Sequence, residues 1–440
     1  MQLEQGERRP TRKRRSIRAV RPQLRSLVMA LMLIMAMAVG AGLDRYAVQT
    51  GIVGAQDSFT ELEQFDVITD TYDLIRENYI ESDEITDDDL VYGAATGMVD
   101  ALGDTGHSTF LDPDAAASYQ LSIQGKLIGV GVSLDYTGGV VTVVTPIDNS
   151  PAFNAGIRSG DTILEADGTS FVDVPEEELP ELVTSVLRGE AGTDVTITLM
   201  HIGETEPYEV TITRAQIEIV PVSWKMLPNN VMWLRLSQFS SGATEGVREA
   251  LREGKEAGAE AVILDLRNNP GGLVFEAIGV NSQFLPNGTT LYQEQDKDGD
   301  TKPVKTVGND GEWLDGPLVV LINNNSASAA EITSSAMKAA GRAELMGETT
   351  FGTGTVLLPF ELEDGSIVML GTDLWLTADG EQIWKKGVKP TVVVALEPGV
   401  TVDVPSLHEG DAIDDEQFSL IEDTQLTSGY DQAIKELEGE

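Results

Sequence analysis

The chain predicts a multidomain α/β protein: helices first, then a strand-rich module, then a layered unit in which strands and helices alternate. Three observations carry this. Between residues 59 and 102 apolar side chains recur at spacings of three and four, the helical period. From about 125 to 214 the pattern changes to short β-branched runs punctuated by glycine. Beyond 219, nearly all-apolar strands such as Ala261-Val-Ile-Leu-Asp-Leu266 alternate with amphipathic helices, as expected for a sheet covered on both faces. A length of 440 residues asks for more than one domain, and 41% hydrophobic content supplies their cores.

In order along the chain, Phe59, Leu62, Phe65, Ile68, Tyr72, Ile75 and Tyr79 mark a first helix. Leu90, Ala94, Met98 and Leu102 mark a second, stopped by Gly103-Asp-Thr-Gly-His-Ser108. Strands are predicted at 129–134 and 140–144, joined by a turn at Gly138-Gly139. A helix follows at 176–187, then strands at 195–199 and 208–214. The last unit contains strands at 231–236, 261–266 and 319–322, a helix carrying Val247, Ala250 and Leu251, and a helix over 329–340. An acidic tail begins near 398, with one terminal helix at 430–437.

Composition excludes several chemistries. With no cysteine there are no disulfides, thiolate metal sites or cysteine nucleophiles, and three histidines argue against a histidine-rich metal site. No phosphate-binding glycine motif follows a strand, so neither a metal nor a cofactor is expected. Nine basic residues against Glu4 and Glu7 give residues 1–25 a charge of +7, and the total of −42 leaves −49 on the rest. Such a body repels nucleic acid and anionic membrane surfaces. The uncharged run at 27–43 is just long enough to span a bilayer. The basic block before it would stay cytoplasmic and place the remainder outside, with a cleaved signal sequence as the rival reading.

Ser326-Ala-Ser-Ala-Ala-Glu331 follows the apolar run Leu318-Val-Val-Leu-Ile322 and the triplet Asn323-Asn-Asn325. A buried strand that ends in small residues and runs into a helix lifts one side chain clear of the backbone. The helix start behind it offers unpaired N–H groups to a developing negative charge. That is a mount for a nucleophilic serine, although a serine in such a turn also serves as a helix cap.

Four blocks together resemble the C-terminal processing (tail-specific) serine peptidases: Leu264-Asp-Leu-Arg-Asn-Asn-Pro-Gly-Gly272, Ser326-Ala-Ser-Ala-Ala-Glu-Ile332, Gly341-Arg-Ala with Thr350-Phe-Gly-Thr-Gly-Thr-Val356, and Gly387-Val-Lys-Pro390. The strand-rich segment is similar to the PDZ domain this family inserts between its helical opening segment and its core. The resemblance implies a crotonase-like catalytic core and these parts: a basic cytoplasmic segment 1–25, an anchor or signal sequence 26–43, a linker 44–58, a helical region 59–120, a PDZ domain 121–214, the protease core 215–397 and the acidic tail 398–440. It implies Ser328 as nucleophile, with Ser326 its rival by proximity, and an oxyanion hole from the N–H groups of Gly271 and Ala329. In the PDZ domain, Ile128, Gly129, Val130 and Gly131 would hold a chain-terminal carboxylate, and Arg188 matches a position that links the PDZ domain to the core. The partners implied are protein C-terminal tails, with the oligomeric state left open.

The chain departs from the family at one patch. Thr353 stands where the family has the lysine that removes the serine's proton, and Leu357 stands where a glutamine orients that lysine. Threonine is no base near neutral pH, and a serine hydroxyl without a base is a poor nucleophile. Lys385 and Lys386 are the candidate replacement bases, and His107 would serve only if the helical region folds over the site. Lys338, ten residues beyond Ser328 on the same predicted helix, lies about 15 Å along its axis. Two readings follow: a membrane-anchored extracytoplasmic serine endopeptidase with a relocated base, or a catalytically silent relative that binds peptides as a scaffold or regulator.

Overall fold

The computed structural model describes residues 64–439 apart from 105–107, 148–149, 159, 177, 202–203, 205, 309–310, 397–399, 401 and 403–411. The expected span at 26–43, the linker at 44–58 and His107 therefore lie outside the described residues. No helix among the described residues is long and apolar enough to cross a membrane.

Two compact units divide at Leu90 and Val91. The first contains helix α1 (Phe65–Asn78). In its last turn Arg76 ties the following segment together, donating to the carbonyls of Ser82 (2.9 Å) and Ile85 (2.6 Å) and pairing with Asp87. Helix α2 (Asp87–Asp100) leads into the second unit.

There the helical region expected to 120 is interrupted. Strand β1 (Thr109–Leu111) precedes helix α3 (Pro113–Ile123), and Asp112 caps that helix by accepting from the Ala115 N–H at 2.8 Å. A three-residue strand between turns carries no readable period, and its partner lies more than 250 residues away in sequence.

The strand-rich module begins with β2 (Lys126–Gly129) and β3 (Val132–Asp135), separated by a break at Val130-Gly131. The glycines Gly138 and Gly139 sit at positive φ (75° and 71°), as their turn requires. Then come β4 (Thr142–Pro146), the short helix α4 (Pro151–Asn154), β5 (Thr162–Ala166), β6 (Thr169–Ser170), α5 (Leu179–Leu187), β7 (Asp194–Met200) and β8 (Tyr208–Thr213). The sheet order is β3-β4-β5-β7-β8 with β6 on β5, which leaves β3 at an edge. Strand β9 (Ala215–Glu218) returns to pair with β2.

The final domain is built on β10 (Val222–Leu227), β11 (Val231–Leu236), α6 (Ala243–Glu256), β12 (Ala261–Asp265), α7 (Val274–Phe284), the hairpin β13 (Thr290–Gln295) and β14 (Thr301–Lys305), β15 (Leu318–Ile322), α8 (Ala329–Ala339) and β16 (Glu344–Gly347). After β17 (Thr355–Glu361), β18 (Ile367–Thr377) and β19 (Val392–Val393), it closes with α9 (Asp415–Phe418) and α10 (Thr424–Glu438). Its main sheet runs β10-β11-β12-β15-β16-β19, parallel from β11 onward. Strands β12 and β15 are buried at every residue, as their nearly all-apolar character predicts. One face packs on α6, α7 and α8 through residues such as Leu251, Phe284 and Ile332. Leu426, Tyr430 and Ala433 of α10 cover the other.

The tail is thus more than an acidic extension. Its helix starts at Thr424, six residues before the expected 430, and seals a sheet face. A second sheet, β1-β18-β13-β14 with β17 on β18, stands beside the first.

Candidate active site

Strands β12 and β15 are parallel neighbours, with Asp265 aligned to Leu321. Their C-terminal ends therefore release two loops side by side, where open α/β sheets form their sites. The turn after β12 carries Arg267 to Gly272, and the loop after β15 carries Asn323 to Ser328. Asparagines stitch the two together. Asn323 Oδ1 accepts from the Asn268 N–H (2.9 Å), its Nδ2 donates to Asn268 Oδ1 (2.7 Å), and the Ala327 N–H donates to the Asn269 carbonyl (2.9 Å).

Ser326 and Ser328 separate cleanly. Ser326 is fully buried, donates through Oγ to the Leu266 carbonyl (2.8 Å) and accepts from the Asn323 N–H (3.0 Å). Its hydroxyl is a loop brace. Ser328 is half-buried and caps α8 at φ 53°, ψ −115°, a conformation that costs a non-glycine residue about 1–3 kcal/mol. A Cβ placed on Gly271 would lie 2.6 Å from the Ser328 Cβ and 2.9 Å from the Ala329 nitrogen. Only glycine fits there, and the Ser328 side chain stands against the Asn-Pro-Gly-Gly turn.

Of the two N–H groups expected to face an oxyanion, one is already engaged. The Gly271 N–H is already donated to Asn269 Oδ1 at 2.8 Å. Among the described residues, the N–H groups of Gly272 and Ala329 have no acceptor, the latter because it opens a helix. An asparagine two residues ahead of a glycine can form such a turn-closing bond, a signal present in Asn269-Pro-Gly271.

Glu331 is the residue whose centrality the sequence did not disclose. Its carboxylate is fully buried and accepts five hydrogen bonds. Oε1 takes the Thr350 hydroxyl (2.5 Å) and the Gly352 N–H (2.7 Å). Oε2 takes the Ser328 N–H (2.9 Å), the Thr353 N–H (2.9 Å) and the Thr353 hydroxyl (2.6 Å). Thr353 Oγ1 also accepts from the Ser328 N–H at 3.0 Å. Thr353 is therefore adjacent to the Ser328 backbone, and its hydroxyl proton is directed to Glu331. The only advance signal was Glu331 at the third position after the cap, the capping-box spacing.

Neither candidate lysine is hydrogen-bonded to the Ser328 hydroxyl among the described residues. Lys385 is exposed, with its ammonium 5.2 Å from the Trp384 ring centroid. Lys386 opens into a cavity shared with Ser335 and Lys338, at the far end of α8. Ser335 lies seven residues beyond Ser328, about 10 Å along the axis. The backbone of this segment is nevertheless close: a Cβ on Gly352 would meet the Lys386 nitrogen at 3.0 Å. Lys338 donates to the Lys389 carbonyl (2.7 Å). No basic side chain is hydrogen-bonded to the Ser328 hydroxyl among the described residues. Leu357 packs beside Ala116, Ile367 and Met369 and forms part of a small apolar cluster.

Behind the turn lies a buried charge cluster. Arg267, fully buried, donates to Asp265 through Nε (2.9 Å) and Nη2 (2.7 Å), and through Nη1 to both oxygens of Asp423 (2.9 and 2.7 Å). Burial by itself pushes the Asp265 carboxyl up, but Arg267 and then Arg235 outweigh it and hold the group below the usual carboxylate range.

The chain is similar to known proteins. The sequence matches peptidase family S41 over residues 230–394, the PDZ domain over 127–212 and the activating protease CtpB N-terminal domain over 37–115. It is 35% identical to the carboxy-terminal processing protease CtpA of Bacillus subtilis over 347 residues, covering 79% of this chain and 72% of that protein. The chain belongs to the C-terminal processing serine protease family. A probable CtpA-like serine protease of Staphylococcus aureus is 32% identical, covering 76% of this chain and 66% of its own length. The solved photosystem II D1 C-terminal processing protease superposes with a TM-score of 0.50 at 29% identity, over 77% of this chain and 89% of that one. A putative S41 protease from Bacteroides fragilis, at TM-score 0.55 and 18% identity over 83% and 96%, shares the fold. The S41 core with an inserted PDZ domain expected from the four sequence blocks is thus the architecture of this chain.

In the PDZ domain, Ile128 and Gly129 belong to β2 and pair with Gln216 and Ala215, whereas Val130 and Gly131 form the break before β3. A groove of about 170 Å³ runs between this break, the edge strand β3 and helix α5, lined by Val132, Leu134, Thr184, Leu187 and Arg188 among others.

Proposed function

We propose that this chain is an extracytoplasmic, membrane-tethered member of the family that captures protein C-terminal tails in its PDZ groove, and that its Ser328 site keeps the mount of a nucleophile but lacks a general base. Tail binding, rather than peptide hydrolysis, is then its working activity. The observation that carries this is the fate of the Thr353 hydroxyl. It donates to Glu331 and accepts from the Ser328 N–H, so the base position has become a clamp on the nucleophile's backbone. Glu331 cannot replace the base, because both its oxygens are saturated by donors. Support for the tether is the basic block followed by the uncharged run at 27–43. Support for tail capture is the free edge of β3 beside α5, where an added strand meets both backbone and apolar side chains.

A second reading, a working endopeptidase, is favoured by the strained Ser328 and the unengaged N–H groups of Gly272 and Ala329, which suit an oxyanion. Casein-type cleavage by wild type, Ser328→Ala and Thr353→Lys/Leu357→Gln separates the two. General-base catalysis supplies about 100- to 10,000-fold. The clamp reading expects wild type to match Ser328→Ala, and the double substitution to gain about 100-fold or more. Cleavage by wild type that disappears in Ser328→Ala would overturn it.

A further inference from the structure

We propose that the cavity at the C-terminal end of α8 binds a short peptide by both of its free ends, the terminal carboxylate against lysines and the terminal ammonium against Asp379 and Glu381. The site lies on the core, shares no residue with the PDZ groove, and does not depend on tail capture there. The cavity encloses about 760 Å³, within the range of about 300–1,000 Å³ typical of small-molecule sites. Lys338, Lys386 and Lys389 line it together with the two carboxylates. Ile383 and Val388, each 5% exposed, give it an apolar wall suited to small side chains.

The charges come from three segments. Lys338 stands in the last turn of α8 and donates to the Lys389 carbonyl (2.7 Å), which holds the segment bearing Lys386 and Lys389 beside the helix. Asp379 and Glu381 lie in the turn after β18, where the Gly380 N–H donates to the Thr377 carbonyl (2.9 Å) and the Thr377 N–H to the Glu381 carbonyl (2.9 Å). In a body carrying −49, carboxylates far outnumber cations. Yet none of the three lysines is within ion-pairing distance of a carboxylate among the described residues. Opposite charges that line one cavity without meeting are completed by a ligand that carries both. A polyanion would be opposed by Asp379 and Glu381, and a polycation by the three lysines. A tripeptide separates its two ends by about 10 Å, so they can meet groups that lie too far apart to pair directly.

One wall is set before a ligand arrives. A Cβ on Gly352 would meet the Gly387 nitrogen at 2.8 Å and the Lys386 nitrogen at 3.0 Å, so this backbone is packed tightly against the turn after β16. The Val388 N–H donates to the Thr350 hydroxyl oxygen (2.7 Å), whose own proton goes to Glu331 Oε1 (2.5 Å). The wall is thereby tied to the buried Glu331 network, and a preorganised wall lowers the ordering cost of binding. The side chains of Asp379, Glu381, Lys386 and Lys389 are exposed, so replacing them should change stability by less than about 0.5 kcal/mol each.

The test uses the full chain and the tripeptides Ala-Ala-Ala, Ala-Leu-Ala and Ala-Phe-Ala, each with both ends free, N-acetylated, or as the C-terminal amide. Affinities are read by isothermal titration calorimetry for wild type, Lys386→Ala/Lys389→Ala and Asp379→Ala/Glu381→Ala. Losing a hydrogen bond to a charged group is worth about tenfold in affinity. Wild type is expected to bind at least one tripeptide with both ends free, about tenfold tighter than either blocked form. The lysine double substitution should abolish the preference for acid over amide and keep that for free amine over acetyl, and the acidic double substitution should do the reverse. Capture in the PDZ groove uses only the C-terminal end of a chain. Binding that tolerates N-acetylation would therefore overturn the proposal while tail capture stands. Affinities unchanged in both double variants, or no binding of any tripeptide with both ends free, would also overturn it.

Discussion

Replacing Asp423 with alanine tests how the last helix is held. Asp423 sits more than 150 residues from Arg267 in sequence, yet its two oxygens take the Nη1 protons, and its Oδ1 also caps α10 by accepting from the Gln425 and Leu426 N–H groups at 3.0 Å each. The substitution strips the cap, worth about 1 kcal/mol. It also leaves a buried guanidinium short of a partner, which costs about 3–5 kcal/mol when a buried pair is broken. Arg267 keeps both bonds to Asp265 and a weaker one to Gln425 Oε1 at 3.3 Å, so the lower figure applies. The sum is about 4 kcal/mol, a large share of a typical domain stability of about 5–15 kcal/mol. All five tryptophans lie between Trp224 and Trp384, so their fluorescence in urea follows the core and not the PDZ domain. Glu422→Ala, at an exposed neighbour, should change stability by less than about 0.5 kcal/mol. A loss below about 1 kcal/mol for Asp423→Ala would show that α10 is not anchored through Arg267.

Two further outcomes follow from the same region. Gly271→Ala forces a side chain into φ 96° and against Ser328, so thermal melts should show a loss of about 1–3 kcal/mol, with Gly258→Ala, which has open space, as the control for positive φ alone. Asp265 has a carboxyl held below its unfolded value, so its stabilisation is complete above about pH 4 and is lost as pH falls through the folded value. The urea midpoint of the core should therefore drop as pH falls below about 4, and Asp265→Asn, weaker at neutral pH, should lose less on acidification.

Much of this protein was legible in its residues. The nearly all-apolar runs of β12 and β15 pointed to a sheet buried on both faces, because apolar side chains on both sides of a strand leave neither side for water. That the two loops meet was suggested by the family resemblance rather than by local pattern, and in the structure a Cβ at Gly271 would collide with Ser328. Where periodicity was too short or the partner too distant, the sequence was silent. Strand β1 has three residues and pairs with β18, and β13 and β14 acquire their place only from β18.

Local sequence determines which backbone groups a segment leaves unpaired; it does not determine what comes to pair with them. That Ser328 caps a helix followed three residues later by Glu331 could be read directly. That Glu331 gathers Thr350, Gly352 and Thr353, that Asn269 takes the Gly271 N–H, and that Asp423 of a seemingly acidic tail meets Arg267 were decided only by folding. A buried charge or N–H must find a partner, and the partner it finds is whichever distant group packing brings within about 3 Å.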